Sequence, residues 1–210
     1  MPNELLSYTL ARQVGVHVPE SVVIEVRNDT RYAGVSADDF PPQVYFGSLF
    51  MKAAGTLPPV DVSKLAEIYG GENVCSLQAL DVLLKIPDRK FTDVLTLQPL
   101  GDSIHSQEFI AIDFGNAFGG GHWTLDELKT NRTDLAGHVD GWLFRGFTDV
   151  EGCARAAQHI AASVDFQVAM DQMTPLFGLS EAERNAATAF LAERVQCLEK
   201  LVRADLSPGR

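Results

Sequence analysis

Apolar residues first recur at helical spacing, with Leu5, Leu6, Leu10 and Val14 on one side of a helix that Asn3 is placed to cap and Gly15 to end. The pattern then changes. Val22, Val23, Ile24 and Val26 are β-branched and lie between Pro19 and the Arg27-Asn28-Asp29 turn, which predicts a strand. Residues 29–62 hold Gly34, Pro41, Pro42, Gly47, Gly55, Pro58 and Pro59, so loop is expected there, with one short apolar piece at 44–51. Helical periodicity returns from Ser63 through Leu65 and Ile68, breaks at Gly70-Gly71, and resumes through Val74, Leu77, Leu80 and Leu84 until Pro87 stops it. Val94–Leu97 and residues 109–112 are short apolar runs joined by a polar link with Gly101-Asp102, the pattern of a β-hairpin. Beyond the triglycine at 119–121 the spacing is helical throughout. Thr148 with Glu151 and Ser180 with Glu183 are spaced as capping boxes, and Ala187, Phe190, Leu191, Val195, Leu198 and Val202 form a core-facing stripe.

Composition narrows the class of partner. The 210 residues suit one large or two small domains, and 46% hydrophobic with 21% charged residues is ordinary globular usage, which excludes collagen and disorder. A net charge of −11 argues against nucleic acid, whose phosphates are gripped by clustered Lys and Arg, and leaves surplus carboxylates for a cation. Cys75, Cys153 and Cys197 are odd in number and far apart, so neither a disulfide framework nor a zinc site is expected. The opening MPNELLSY has no signal-peptide pattern and no apolar run of about 18 residues occurs, so a cytoplasmic protein with no membrane partner is expected.

The chemistry concentrates in LKIPDRKFTDVLTLQPLGDSIHSQEFIAIDFGNAFGGG, residues 84–121. An Asp-Arg pair at 88–89 follows a proline-terminated helix, a second acid stands at Asp93, and a hairpin leads into Asp113-Phe114-Gly115. Phosphoryl transfer needs one carboxylate beside the attacking hydroxyl and oxygen ligands for the Mg²⁺ on the nucleotide phosphates, and a short hairpin can hold such groups together. Asp81 reads as a structural acceptor for the loop backbone. His105 reads as an exposed residue of the hairpin link and His122 as a loop bystander within reach of a substrate; Cys153 and His159 lack the partners of a zinc site, and the triglycine, followed by His122-Trp123, is a loop rather than a phosphate cradle.

These residues resemble the HipA-like kinase family, with its Asn-x-Asp-Arg-x-x-x-Asn catalytic loop, hairpin and terminal Ile-Asp. NELLSYTLARQVGVHVPESVVIEV is similar to the family's lobe-connecting helix and following strand, FGSLF to a loop element, and AERNAATAFLAERVQCLEKLV to its closing helix. The resemblance implies an α+β, protein-kinase-like fold with a reduced N-terminal lobe over 1–62 and a mainly α-helical lobe over 63–210. It implies Asp88 as catalytic base, Asp93 and Asp113 as Mg²⁺ and ATP-site ligands, and Glu4 as the glutamate that pairs with a phosphate-holding lysine. Two family positions differ. Ile86 replaces the first Asn and offers no polar contact, whereas Asp93 replaces the second with a carboxylate that suits a hard cation. The family's glycine-rich loop and lysine would precede Glu4, where three residues stand, and Lys52 falls after the matched helix. Two functions stay open: an ATP- and Mg²⁺-dependent kinase acting on a protein Ser/Thr, its small lobe completed by a partner chain or an upstream segment, or a degenerate kinase-fold binding or regulatory module. An unrelated α+β hydrolase with an acidic metal site is a third.

Overall fold

The computed structural model describes residues 2–27, 43–49, 54–56, 66–67, 69–97, 109–120, 123–130, 132–138 and 142–207. In chain order they form α1 (Pro2–Gln13), β1 (Ser21–Glu25), β2 (Val44–Ser48), β3 (Ala54–Thr56), α2 (Gly71–Leu84), β4 (Val94–Leu97), β5 (Phe109–Ala111), α3 (Leu125–Lys129), α4 (Val150–Ser163), α5 (Phe166–Phe177) and α6 (Glu181–Asp205). Short 3-10 turns occupy Phe91–Asp93 and Ala117–Gly119.

Ten of the fourteen residues of α2 are buried, polar Gln78 and Asp81 among them, so this helix is covered on nearly every side. Helices α4 and α6 cover it and pack on each other, while α1 lies against α5 and the Ala117–Gly119 turn. Lys85 ends α2 in the left-handed region at φ 55°, and its N–H returns to the carbonyls of Asp81 and Val82. The helix thus stops two residues before Pro87.

The β-structure is two small antiparallel sheets. Among the described residues β1 pairs with β2, and β3, β4 and β5 form a three-stranded sheet in that order. The predicted hairpin is present, with Val94 opposite Ala111 and Thr96 opposite Phe109, which fixes the ends of both strands at the same edge. Its link lies outside the described residues, as do the predicted helical positions at 63–65. No strand follows residue 120 among the described residues.

Two helix starts differ from their sequence signals. Asn3 lies inside α1, which begins at Pro2, and its side chain is used elsewhere. For α4 the cap is Asp149, whose carboxylate accepts from the Gly152 N–H at 2.8 Å, instead of the Thr148 and Glu151 pair. The Ser180 and Glu183 box is present at α6. No helix among the described residues is long and apolar enough to cross a membrane.

Candidate active site

Asp88 and Arg89 stand in the loop between α2 and β4, and their side chains part. Arg89 is 1% exposed and turns inward, where its Nε and Nη2 each donate to the Asp81 carboxylate at 2.8 Å. Its Nη1 donates to the Ile112 carbonyl and, at 3.4 Å, to that of Asp113, while the guanidinium lies 4.3 Å from the Phe114 ring centre. Asp81 is thus a structural acceptor, as expected, but its partner is the Arg89 side chain. Burial raises the Asp81 carboxyl; it opposes the charge on Arg89 too, yet the carboxylate outweighs it and holds Arg89 above its ordinary value. The two directions pull the shared proton in opposite senses, and the bidentate geometry decides for the ionised pair.

Asp88 is half-buried, and its Oδ2 accepts a 2.6 Å hydrogen bond from Asn116 Nδ2. Asn116 follows directly on Asp113-Phe114-Gly115. Asp93 caps its own turn: Oδ2 accepts from the Lys90 N–H at 2.8 Å and Oδ1 from the Thr92 hydroxyl at 3.0 Å. Its carbonyl accepts from the Ile112 N–H at 2.9 Å, which extends the hairpin ladder to the residue before Asp113. Burial raises the Asp93 carboxyl, and the Asp113 charge adds to that.

Asp113 is exposed with φ 57°, and no donor among the described residues bonds its carboxylate. Among the described residues the non-glycine positions with positive φ are Lys85, Asp113 and Phe118, all near Asp88 and Asp113 in sequence. Left-handed backbone costs such residues about 1–2 kcal/mol each and concentrates at functional sites.

Glu4, on α1, reaches the same place. A Cβ on Gly115 would come 3.4 Å from Glu4 Oε1 and 3.6 Å from Asp113 Oδ1, ordinary contact distances, so the two carboxylates flank this residue. Glu4 Oε2 is buried without a hydrogen-bond partner. Burial raises its pKa, a Phe114 N–H opposes this, and Asp113 raises it further. Neighbouring Asn3, 2% exposed, donates through Nδ2 to the carbonyls of Gly115 at 2.9 Å, Ala117 at 3.1 Å and Gly120 at 3.4 Å, and its Oδ1 accepts from Trp123 Nε1 at 2.6 Å.

Beside this loop opens a groove of about 340 Å³, walled in part by Lys85, Pro87, Phe118, Trp123 and Glu127. Lys85 is held below its ordinary value by burial and by Arg194. Arg194, fully buried on α6, donates to the carbonyls of Val82, Leu83, Arg132 and Asp134 and so fastens the end of α2. Ile86, 2% exposed, belongs to the core. Lys52, His105 and His122 lie outside the described residues.

The structure therefore ties the Asp93 segment to the Asp113 segment through a backbone hydrogen bond, and the Asp88 loop to the same segment through the Asn116 and Arg89 side chains. Among the described residues no three or more His, Cys, Asp or Glu side chains come together as a group that could hold a metal ion, Asp88, Asp93 and Asp113 included. Mg²⁺ commonly takes one or two carboxylates and completes its shell with phosphate and water oxygens, so the residue types at Asp113, which is exposed, and Asp93, whose carboxyl feels its charge, suit the donor chemistry.

No protein-family model matches this chain. No curated protein matches it in sequence. It is similar in structure to the crystal structure of a Helicobacter pylori proinflammatory kinase, CtkA, with a TM-score of 0.61 over 98% of this chain and 83% of that one. At 13% identity the likeness is one of fold, and the chain has a mixed α+β, kinase-like fold, mostly helical with small antiparallel sheets.

Proposed function

We propose that the chain is a kinase that moves the γ-phosphoryl group of ATP to a hydroxyl on a protein. The observation that carries this reading is the linkage of loops: Asn116 joins Asp88 to the Asp113 segment, and Arg89 joins Asp88's own loop to the Asp113 carbonyl. In this reading Asp88 accepts the proton of the acceptor hydroxyl as its oxygen bonds to the γ-phosphorus and the bond to the ADP oxygen breaks. Asp93 and Asp113 would hold Mg²⁺, which supplies charge neutralisation on the phosphates. A second reading, nucleotide or cation binding without turnover, is favoured by the Asp93 carboxylate, both of whose oxygens already serve its own turn.

Transfer from labelled ATP to the chain itself or to a protein mixture, with Mg²⁺ or Mn²⁺, separates the readings. Transfer lost in Asp88→Asn and Asp113→Ala supports the kinase. A nucleotide-dependent rise in Tm lost in Asp113→Ala, with no transfer by the parent, supports the binding module. No transfer and no shift would overturn both.

A further inference from the structure

We infer that Asn116 is a positioning residue for the Asp88 carboxylate; the inference rests on the kinase reading and deepens it. The two oxygens of Asp88 differ. Oδ2 accepts the Asn116 amide at 2.6 Å, and among the described residues no donor meets Oδ1. A carboxylate acting as base needs this division, one oxygen fixed by a neutral donor and the other turned to the incoming hydroxyl. A cation in the donor's place would draw the basicity away, and an acceptor would repel the charge.

Asn116 is itself held. Asn3 grips the carbonyls on both sides of it, at Gly115 and Ala117, from a helix that packs against the same turn. Trp123 fixes the orientation of the Asn3 amide by donating to its oxygen, so the Asn3 nitrogen must face the loop. The amide of Asn116 thus starts from a backbone tied on both sides, and its reach to Asp88 spans the gap between the loop after α2 and the segment after β5. Movement of the Asp113 segment would carry Asn116 away from Asp88, which couples the orientation of the base to the place of the metal-ligand segment.

The test uses Asn116→Ala and Asn116→Asp in the full chain, each checked by its urea midpoint, with kcat and KM for ATP measured in the transfer assay. Removing the donor is expected to lower kcat about 10²-fold while KM for ATP stays within about twofold, since a misplaced reacting group costs that much without touching nucleotide binding. Asn116→Asp, nearly the same shape but placing a like charge on Asp88, is expected to lose more than Asn116→Ala. A residue that only fills space gives the reverse order, with the isosteric Asp variant close to the parent. An active parent whose Asn116→Ala variant keeps its kcat, or whose Asp variant outperforms the Ala variant, overturns the inference and leaves the kinase reading standing. An inactive parent overturns the two together.

Discussion

The Asp81 and Arg89 pair offers the sharpest stability test, because both partners are out of water and nothing local explains their meeting. Their side chains are 5% and 0% exposed, and two 2.8 Å contacts join them. Deleting one partner of such a pair leaves an uncompensated buried charge and costs about 3–5 kcal/mol, a large part of the roughly 5–15 kcal/mol that holds an ordinary domain together. Arg89→Met should cost more than Asp81→Leu, since it also removes the donor to the half-buried Ile112 carbonyl, about 1–3 kcal/mol. The double variant deletes both charges and leaves only that carbonyl penalty, so it should sit within about 3 kcal/mol of the parent and above either single variant. Those terms put the coupling energy at about 6 kcal/mol or more. Urea unfolding reads it directly, provided the slope m is shared by all four proteins. Single variants that cost less than about 1 kcal/mol, the range of exposed pairs, would show the pair to be hydrated, and additive losses in the double variant would show the two residues to act apart.

Two further outcomes follow from buried groups near the same loops. Arg194→Met should destabilise by at least about 3 kcal/mol, as Val82, Leu83, Arg132 and Asp134 lose one shared donor, and Arg194→Lys should recover less than half of that because a point charge cannot span them; urea midpoints equal to the parent's would refute it. Glu4 has a folded pKa raised above its ordinary 4.5, chiefly by burial, so its neutral form suits the fold, and the stability present below that value is lost as pH rises through the folded pKa. Glu4→Gln should raise Tm at pH 7 and progressively less towards pH 4, and a difference that is constant or negative across this range would contradict the raised pKa.

How much of this was legible along the chain depended on distance in sequence. The hairpin of β4 and β5, the ends of α1 and α2 and the Ser180 cap arise from residues a few positions apart, where period, turn chemistry and capping are written locally. The spacing of Asp88, Asp93 and Asp113 could be read in the same way, as loop, hairpin and loop. Asn3 was misread as a cap because an amide near a helix start usually is one, whereas its three carbonyl partners lie 112 to 117 residues away. Arg194 sits within an amphipathic helix of ordinary sequence, and its carbonyl partners in α2 are 111 and 112 residues distant. Asn116 did leave a signal, an amide directly after Asp-Phe-Gly, but its partner Asp88 could be known only once the hairpin had closed.

Helix ends and irregular backbone that are wholly or partly buried need donors for their carbonyls, since water serves them incompletely. Three side chains do this here: Asn3, Arg89 and Arg194 together donate to nine carbonyls, all in the segments 82–83, 112–120 and 132–134. Each comes from a different part of the chain, and each carries several N–H groups on one planar unit, so a few buried residues hold many peptide units. The left-handed conformations at Lys85, Asp113 and Phe118 fall in or beside those same segments, where the tethers can keep them from relaxing. The backbone around Asp88 and Asp113 is thus held by the protein's own side chains. On the proposed kinase reading, phosphoryl transfer requires Asp93 to exchange its cap for a cation and the open oxygen of Asp88 to meet a hydroxyl, so an Asp93 that keeps its cap favours binding without turnover.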